Sequence, residues 1–243
     1  MELENNLTAI LDSFEPPILI VSTIAGHGIY SIGEAIKERI VHTDEIYHAA
    51  LEDMLPANAL HEDYKRYNYI SNHLPFLLNL IYRVPIFYCR KLLREKYLKV
   101  TDLNKIKEKI DSLGIKTVLC ASHRPAFWLS CLKSQSNMKF KLWGMLSEFG
   151  RNLGWKYIFW EVMDGYLSPV ERQLLDFPFP RKLRYIKTEP PCKREYCTLT
   201  QIKGDKNKIL FVAGYWGQIF AKKAERILKS LLEEFPEAKI FFV

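Results

Sequence analysis

The sequence predicts an α/β fold, a doubly wound parallel sheet, from two patterns that recur along the chain. Apolar runs, as at 18–21 and 116–122, end at turn residues and are followed by segments whose apolar residues recur at helical spacing. Continuous apolar runs are typical of strands buried on both faces, as strands of a parallel sheet are. The alternation of strand and helix further implies parallel strands joined by right-handed crossovers.

Taken in order, the elements begin with a short helical lead-in at 3–15, a strand at 18–21, a helix at 32–40 and a short strand within 41–63. A helix at 103–113 ends at Gly114, a plausible C-cap. The elements that follow are a strand at 116–122, a helix at 126–132, strands at 140–145, 157–160 and 182–192, a strand at 209–213, a helix at 221–232 and a last strand at 239–243.

Length and composition are those of a folded α/β protein. The 243 residues, 48% of them hydrophobic, suffice for one large domain or for one domain and part of another. Five cysteines without a C-x-x-C pair argue against a disulfide framework or a zinc site and favour a reducing, cytoplasmic setting. The N-terminus lacks the layout of a signal peptide, and no apolar run approaches the roughly 18 residues of a membrane span.

The first predicted strand leads into a glycine turn, Gly26-His27-Gly28, and then into a helix. This turn lies at the carboxyl end of the strand, where open α/β sheets bind ligands. The exposed N–H groups at a helix start favour an anion or an incoming hydroxyl, so His27 is a candidate active-site residue. The alternative is an ordinary turn, because neither a G-x-G-x-x-G fingerprint nor a P-loop is present. His123 ends a second strand on the same rim, and we expect it to cap that turn rather than to react.

Basic and aromatic residues are concentrated in 64–99. Residues 1–63 hold twelve acidic and two basic residues, a balance of −10, whereas the other 180 residues carry +17. Within 64–99, aromatic side chains such as Phe87 lie among basic ones that include Arg90, Lys91 and Arg94. This composition is typical of an element that lies in the headgroup layer of a membrane. The alternative is two amphipathic helices that pack on the sheet with their basic residues in water.

Six segments in order resemble one family. They are ILIVSTIAGHG, NHLPFLLNLIYR, TVLCASHRP, LSEFGRNLGWKYIFWEVMDGYLSP, KLRYIKTEPP and ILFVAGYWGQ. Together they resemble GT-B glycosyltransferases, most closely the monogalactosyldiacylglycerol synthases and processive diacylglycerol glucosyltransferases, and more distantly the peptidoglycan lipid-linked GlcNAc transferase. The resemblance implies a Rossmann-like acceptor-binding domain over 1–200. It also implies that 201–243 is the beginning of a donor-binding domain, and a chain that ends inside a strand predicts a longer protein.

On the acceptor side, the resemblance implies that His27 is the catalytic base, with Gly26 and Gly28 in its turn. Trp155, which we expect to be exposed, would lie near the acceptor and anionic lipid, and Asp164 would match an Asp-Tyr pair of the family with one residue inserted. Whether His27 or a carboxylate is the base stays open. The membrane-facing surface would include Phe87, Arg90, Lys91 and Arg94.

On the donor side, the turn near the diphosphate would be Gly214, Tyr215, Trp216 and Gly217. The implied activity is an inverting hexosyl transfer from a nucleotide-sugar, usually UDP-linked in this family, to a lipid acceptor such as diacylglycerol in glycolipid biosynthesis. The implied location is cytoplasmic and peripheral, on the inner face of a membrane. No metal or other cofactor is expected beyond the nucleotide-sugar co-substrate.

Three departures from the family pattern bear on these expectations. Ser147-Glu148 replaces Thr-Asp, Ile-Ala-Gly-His replaces Gly-Gly-Gly-His, and Tyr215 replaces a glycine. The segment that holds uracil, ribose and the donor sugar in the family would lie beyond Val243. The alternative to an enzyme is a non-catalytic peripheral membrane-binding module, or an acceptor-side subunit without its donor-binding half. Nucleic-acid binding ranks third and is not expected, because no RRM, KH or helix-turn-helix pattern is present.

Overall fold

The computed structural model describes most of the first two hundred residues and parts of the remainder. The described residues are 4–24, 28–56, 65, 69–70, 73–74, 76, 103–146, 155, 158–170, 182–193, 208–211, 217–237 and 239–242.

A six-stranded sheet is the centre of the fold, and all of its strands run parallel. The strands are β1 (Ile18–Ser22), β2 (Ile46–Ala50), β3 (Thr117–Cys120), β4 (Lys141–Met145), β5 (Gly165–Ser168) and β6 (Arg184–Lys187), in the spatial order β2-β1-β3-β4-β5-β6. β1 is buried at every residue, as its continuous apolar run predicts for a central strand. The predicted α/β class and parallel sheet are confirmed, and they are consistent with a Rossmann-like fold.

Helices cover both faces of this sheet. They are α1 (Glu4–Asp12), α2 (Gly28–Arg39), α3 (Leu51–Met54), α4 (Asn104–Ser112) and α5 (His123–Gln135). On one face Ile18 and Ile20 pack with Ile36 of α2 in one core cluster, which also contains apolar residues of α1. On the other face Val21 packs in a second cluster with residues of α3, α4 and α5, among them Leu129. The alternation of side chains along β1 therefore divides the core into two layers.

Two boundaries differ from the sequence prediction for physical reasons. The strand predicted at 157–160 is wrong: Ile158 and Phe159 lie outside any strand, and Trp160–Val162 form a 3-10 turn. A short buried apolar run has the same composition in either conformation, so periodicity could not separate them. α5 begins at His123 rather than near 126, because Pro125 is tolerated in the first turn of a helix.

A second, two-stranded sheet pairs β7 (Lys208–Phe211) with β8 (Lys239–Phe242) in parallel. Between them in sequence lies α6 (Gly217–Glu234). This agrees with the predicted strand-helix-strand order at the end of the chain, while the assignment of 201–243 to a second domain stays a prediction. In the part of the chain that the structure describes, no helix is both long and apolar enough to cross a membrane.

Candidate functional site

The topology creates a crevice between β1 and β3 at the carboxyl ends of the strands. β1 continues through α2 on one face of the sheet to the outer strand β2. β3 continues through α5 on the opposite face to β4, in the other direction along the sheet. Because the two following helices lie on opposite faces, the loops after β1 and β3 diverge. Such a switch point is where open α/β sheets bind ligands.

On the β1 side of this crevice, the loop after β1 is hydrogen-bonded to α3, the helix that follows the neighbouring strand β2. Ser22 and Thr23 are buried at the end of β1, whereas Ile24 is exposed. The Ile24 backbone N–H donates to Glu52 Oε2 at 3.1 Å, which ties the loop to α3. Gly28, an expected acceptor-side residue, begins α2 at the far end of this loop. Gly26 and His27 lie outside the described residues.

The β3 side begins with Ser122, the N-cap of α5, followed by His123 and Arg124. Burial, and to a smaller extent the nearby Arg124 charge, together lower the pKa of His123 from 6.5 to about 3. The imidazole is therefore neutral near pH 7. A group with so low a pKa is also a weak proton acceptor, so His123 is poorly suited to general-base catalysis.

Trp155 lies at the same rim but is not exposed as expected. Its residue is only 3% exposed. Its ring centroid is 6.4 Å from that of His123, edge to face, and 6.3 Å from Trp160, with which it stacks. Gly144, near the end of β4, makes room for this ring, since a Cβ there would come within 2.8 Å of it. The expectation of exposure was wrong because no local pattern in the sequence indicates these three partners.

Asp164 lies at the opposite end of the sheet from this rim. It precedes β5, and its Oδ2 accepts from the Leu142 backbone N–H and from Lys133 Nζ, both at 2.7 Å. Lys133 is in the last turn of α5, whereas His123 is the first residue of that helix. The structure therefore brings Trp155 together with His123 but does not bring Asp164 to them.

Most of the other predicted site residues lie outside the described residues. Gly217, expected near the donor diphosphate, is the first residue of α6. The others are Phe87, Arg90, Lys91, Arg94, Gly214, Tyr215 and Trp216. Their roles stay predictions.

A chain of three polar side chains beneath the β1–α2 connection was not predicted. Ser22 Oγ lies 2.7 Å from His48 Nε2, and His48 Nδ1 contacts Glu34 Oε1 of α2. The His48 side chain is 2% exposed, whereas that of Glu34 is 37% exposed. Gly33 leaves space for the imidazole, because a Cβ there would overlap the ring. The Tyr30 ring lies against it, with centroids 4.5 Å apart.

These three groups have the order found in serine hydrolases, in which an acid orients a histidine that contacts a hydroxyl. Ser22, however, is fully buried and its oxygen already contacts His48, so this hydroxyl is engaged within the fold. The chain instead bonds the last residue of β1 to α2 through β2. The residues lie 26 and 14 positions apart in sequence, so no local motif predicted the contact. The one available signal was a histidine within an otherwise apolar strand.

Within the described ranges, no group of three or more His, Cys, Asp or Glu side chains is arranged to hold a metal ion. Comparisons of the chain with protein families, with curated proteins and with solved structures each found no match. The fold defines an α/β protein whose parallel sheet has a switch point between β1 and β3, the position at which open α/β sheets bind ligands.

Proposed function

We propose that this chain is the acceptor-binding part of a glycosyltransferase that transfers a sugar from a nucleotide-sugar, UDP-linked, to a lipid hydroxyl such as that of diacylglycerol. One observation carries the proposal: the strand that leads into the Gly26-His27-Gly28 sequence is β1, one of the two strands at the switch point. Ligands of open α/β sheets bind at that position. The six segments that resemble the GT-B family supply the reaction class.

The reaction needs a base at this rim. The lipid hydroxyl oxygen attacks the anomeric carbon from the face opposite the diphosphate, the bond from that carbon to the diphosphate oxygen breaks, and the hydroxyl proton must be accepted. A histidine with an ordinary pKa of about 6.5 suits that role. With its pKa of about 3, His123 does not. We therefore assign the proton transfer to His27 and give His123 a place in the wall of the crevice.

The wall beside the acceptor is apolar and aromatic. Trp155 and Trp160 stack behind His123, and Gly144 lets the Trp155 ring lie directly against β4. A neutral imidazole on indole rings is an apolar surface that an acyl or glyceryl group can contact, which supports a lipid acceptor. On the donor side, backbone N–H groups at the turn that ends in Gly217 would stabilise the departing diphosphate, since Gly217 begins a helix.

Access to the acceptor requires contact with a membrane. The aromatic and basic stretch 64–99 provides the anchor in this proposal. Each basic residue near an anionic surface adds about 1 kcal/mol to binding, and aromatic rings lie at headgroup depth. The protein would then act on the inner face of a membrane as a peripheral enzyme, using the nucleotide-sugar as its only co-substrate.

The test is sugar transfer by the full chain to diacylglycerol in mixed vesicles, followed with radiolabelled UDP-glucose and UDP-galactose. His27→Ala should lower turnover by about 10²–10⁴-fold, since that is the usual contribution of a general base. The matched control is His42→Ala, whose imidazole pairs with Asp12 at 3.0 Å beyond the other end of α2 and should leave turnover unchanged. Equal turnover of wild type and His27→Ala would remove His27 from the mechanism. Vesicle binding without any transfer would favour the membrane-binding module.

A further inference from the structure

The start of α5 contains a buried hydroxyl group without a partner. Ser122 is 2% exposed, and its Oγ has no hydrogen-bond partner among the described residues. Buried polar atoms are nearly always hydrogen-bonded, and an exception calls for an explanation such as a bound water or ion. A buried hydroxyl without a partner is destabilising, because the group has lost its hydrogen bonds to water.

Local sequence explains why this hydroxyl does not cap the helix. An N-cap serine ordinarily accepts a hydrogen bond from the N–H of the second or third helical residue. Here the third helical residue is Pro125, which has no N–H, so only the second residue, Arg124, could donate to the cap, and no side-chain cap bond is formed. The backbone of Ser122 still starts the helix, since its carbonyl accepts from the Ala126 N–H at 3.3 Å. The hydroxyl thus lies at the helix start with its donor and acceptor unused within the described part of the chain.

The surroundings of this hydroxyl favour negative charge. α5 has 13 residues, so its dipole places partial positive charge at this end, and its first turn contains no acidic residue. Arg124 contributes a full positive charge within that turn. The position is the switch-point crevice, one residue past the pairing of Ala121 N–H with the Val21 carbonyl of β1.

We propose that the start of α5 is a phosphate-binding site in which Ser122 Oγ donates to a phosphate oxygen and Arg124 supplies the charge. The ligand is a phosphate monoester or diphosphate group, carried either by a small molecule or by a lipid headgroup. His123, the next residue, lies edge to face against the buried Trp155 ring at the same rim. The site does not depend on the proposed sugar transfer, because it can be occupied in a protein that transfers nothing.

The experiment measures phosphate binding to the full chain by isothermal titration, first with inorganic phosphate as the probe. Ser122→Ala should weaken binding about tenfold, because a hydrogen bond to a charged group is lost. Ser122→Thr should retain it, since the hydroxyl is kept. Arg124→Gln should also weaken binding about tenfold and should reduce its sensitivity to salt. Ser134→Ala is the matched control: this serine donates to the Cys131 carbonyl at the other end of α5, and binding should stay at the wild-type value.

A second arm compares vesicles of phosphatidylcholine alone with vesicles that contain phosphatidic acid. If inorganic phosphate binds the wild-type protein and Ser122→Ala weakens that binding, the site is assigned to a free phosphate group. An effect of Ser122→Ala on phosphatidic acid vesicles alone assigns it to a lipid headgroup. Circular dichroism of each variant confirms that it is folded. The proposal is overturned if neither probe binds, or if Ser122→Ala binds both probes as wild type does. If the wild-type protein binds phosphate but transfers no sugar, the proposed function is refuted and this site stays in place.

Discussion

Acid should destabilise this protein through His123. In the folded protein, burial first and the Arg124 charge second lower the pKa of His123 to about 3. In the unfolded chain the same imidazole has its ordinary pKa of about 6.5. Between these two values the unfolded chain binds a proton that the folded protein does not. The contribution of His123 to stability is therefore fully present above pH 6.5 and is lost progressively as the pH falls toward 3.

The magnitude follows from the separation of the two pKa values. Each pH unit between them changes the free energy of unfolding by about 1.4 kcal/mol. Lowering the pH from 7.5 to 5.0 should then cost roughly 2 kcal/mol through His123 alone, since only the part of that interval below 6.5 counts. This is a large share of the total stability of a typical domain, about 5–15 kcal/mol.

The assay is urea denaturation followed by circular dichroism at pH 7.5 and pH 5.0. His123→Gln removes the titrating group, so the variant should lose roughly 2 kcal/mol less than wild type over this interval. His73→Gln is the control, because His73 is exposed and its replacement should leave the pH dependence at the wild-type value. An identical loss of stability in wild type and His123→Gln would refute the assignment of a low pKa to His123.

Three further predictions concern packing, charge and membranes. Gly33→Ala should lower the free energy of unfolding by about 1–3 kcal/mol in urea denaturation, because the new Cβ overlaps the His48 ring. Adding His48→Ala to this variant should remove most of that cost, since the overlapping ring is then absent. Asp164→Asn should lower stability by about 1 kcal/mol through its contacts with Lys133 and Leu142, and an unchanged urea midpoint would contradict that structural role. In co-sedimentation, the protein should bind more tightly to anionic than to zwitterionic vesicles, and this binding should weaken as salt is added. Replacing Arg90, Lys91 and Arg94 together by Glu should remove most of the preference for anionic vesicles.

The sequence by itself determined the α/β class and the parallel sheet. The run Ile18–Val21 is continuous and apolar, and all four residues are buried in a central strand. The spacing of Ile106 and Ile110 predicted the buried face of α4. These predictions succeeded because burial on both faces and helical periodicity are properties of short segments, which the order of residues shows directly. The run at 157–160 failed for the same reason, because a buried run of that length fits a strand or a turn.

Only the tertiary structure decided which residues share the rim and what their chemistry is. The sequence placed His123 at the end of a strand and Trp155 in a loop, but not their contact. It contained Ser22, Glu34 and His48 without any sign that they form one chain. The low pKa of His123, and a Ser122 hydroxyl that has no partner among the described residues, likewise arise from the residues packed around them. Burial and hydrogen bonding of a side chain depend on partners that are distant in sequence, and a single sequence does not specify which of them will meet.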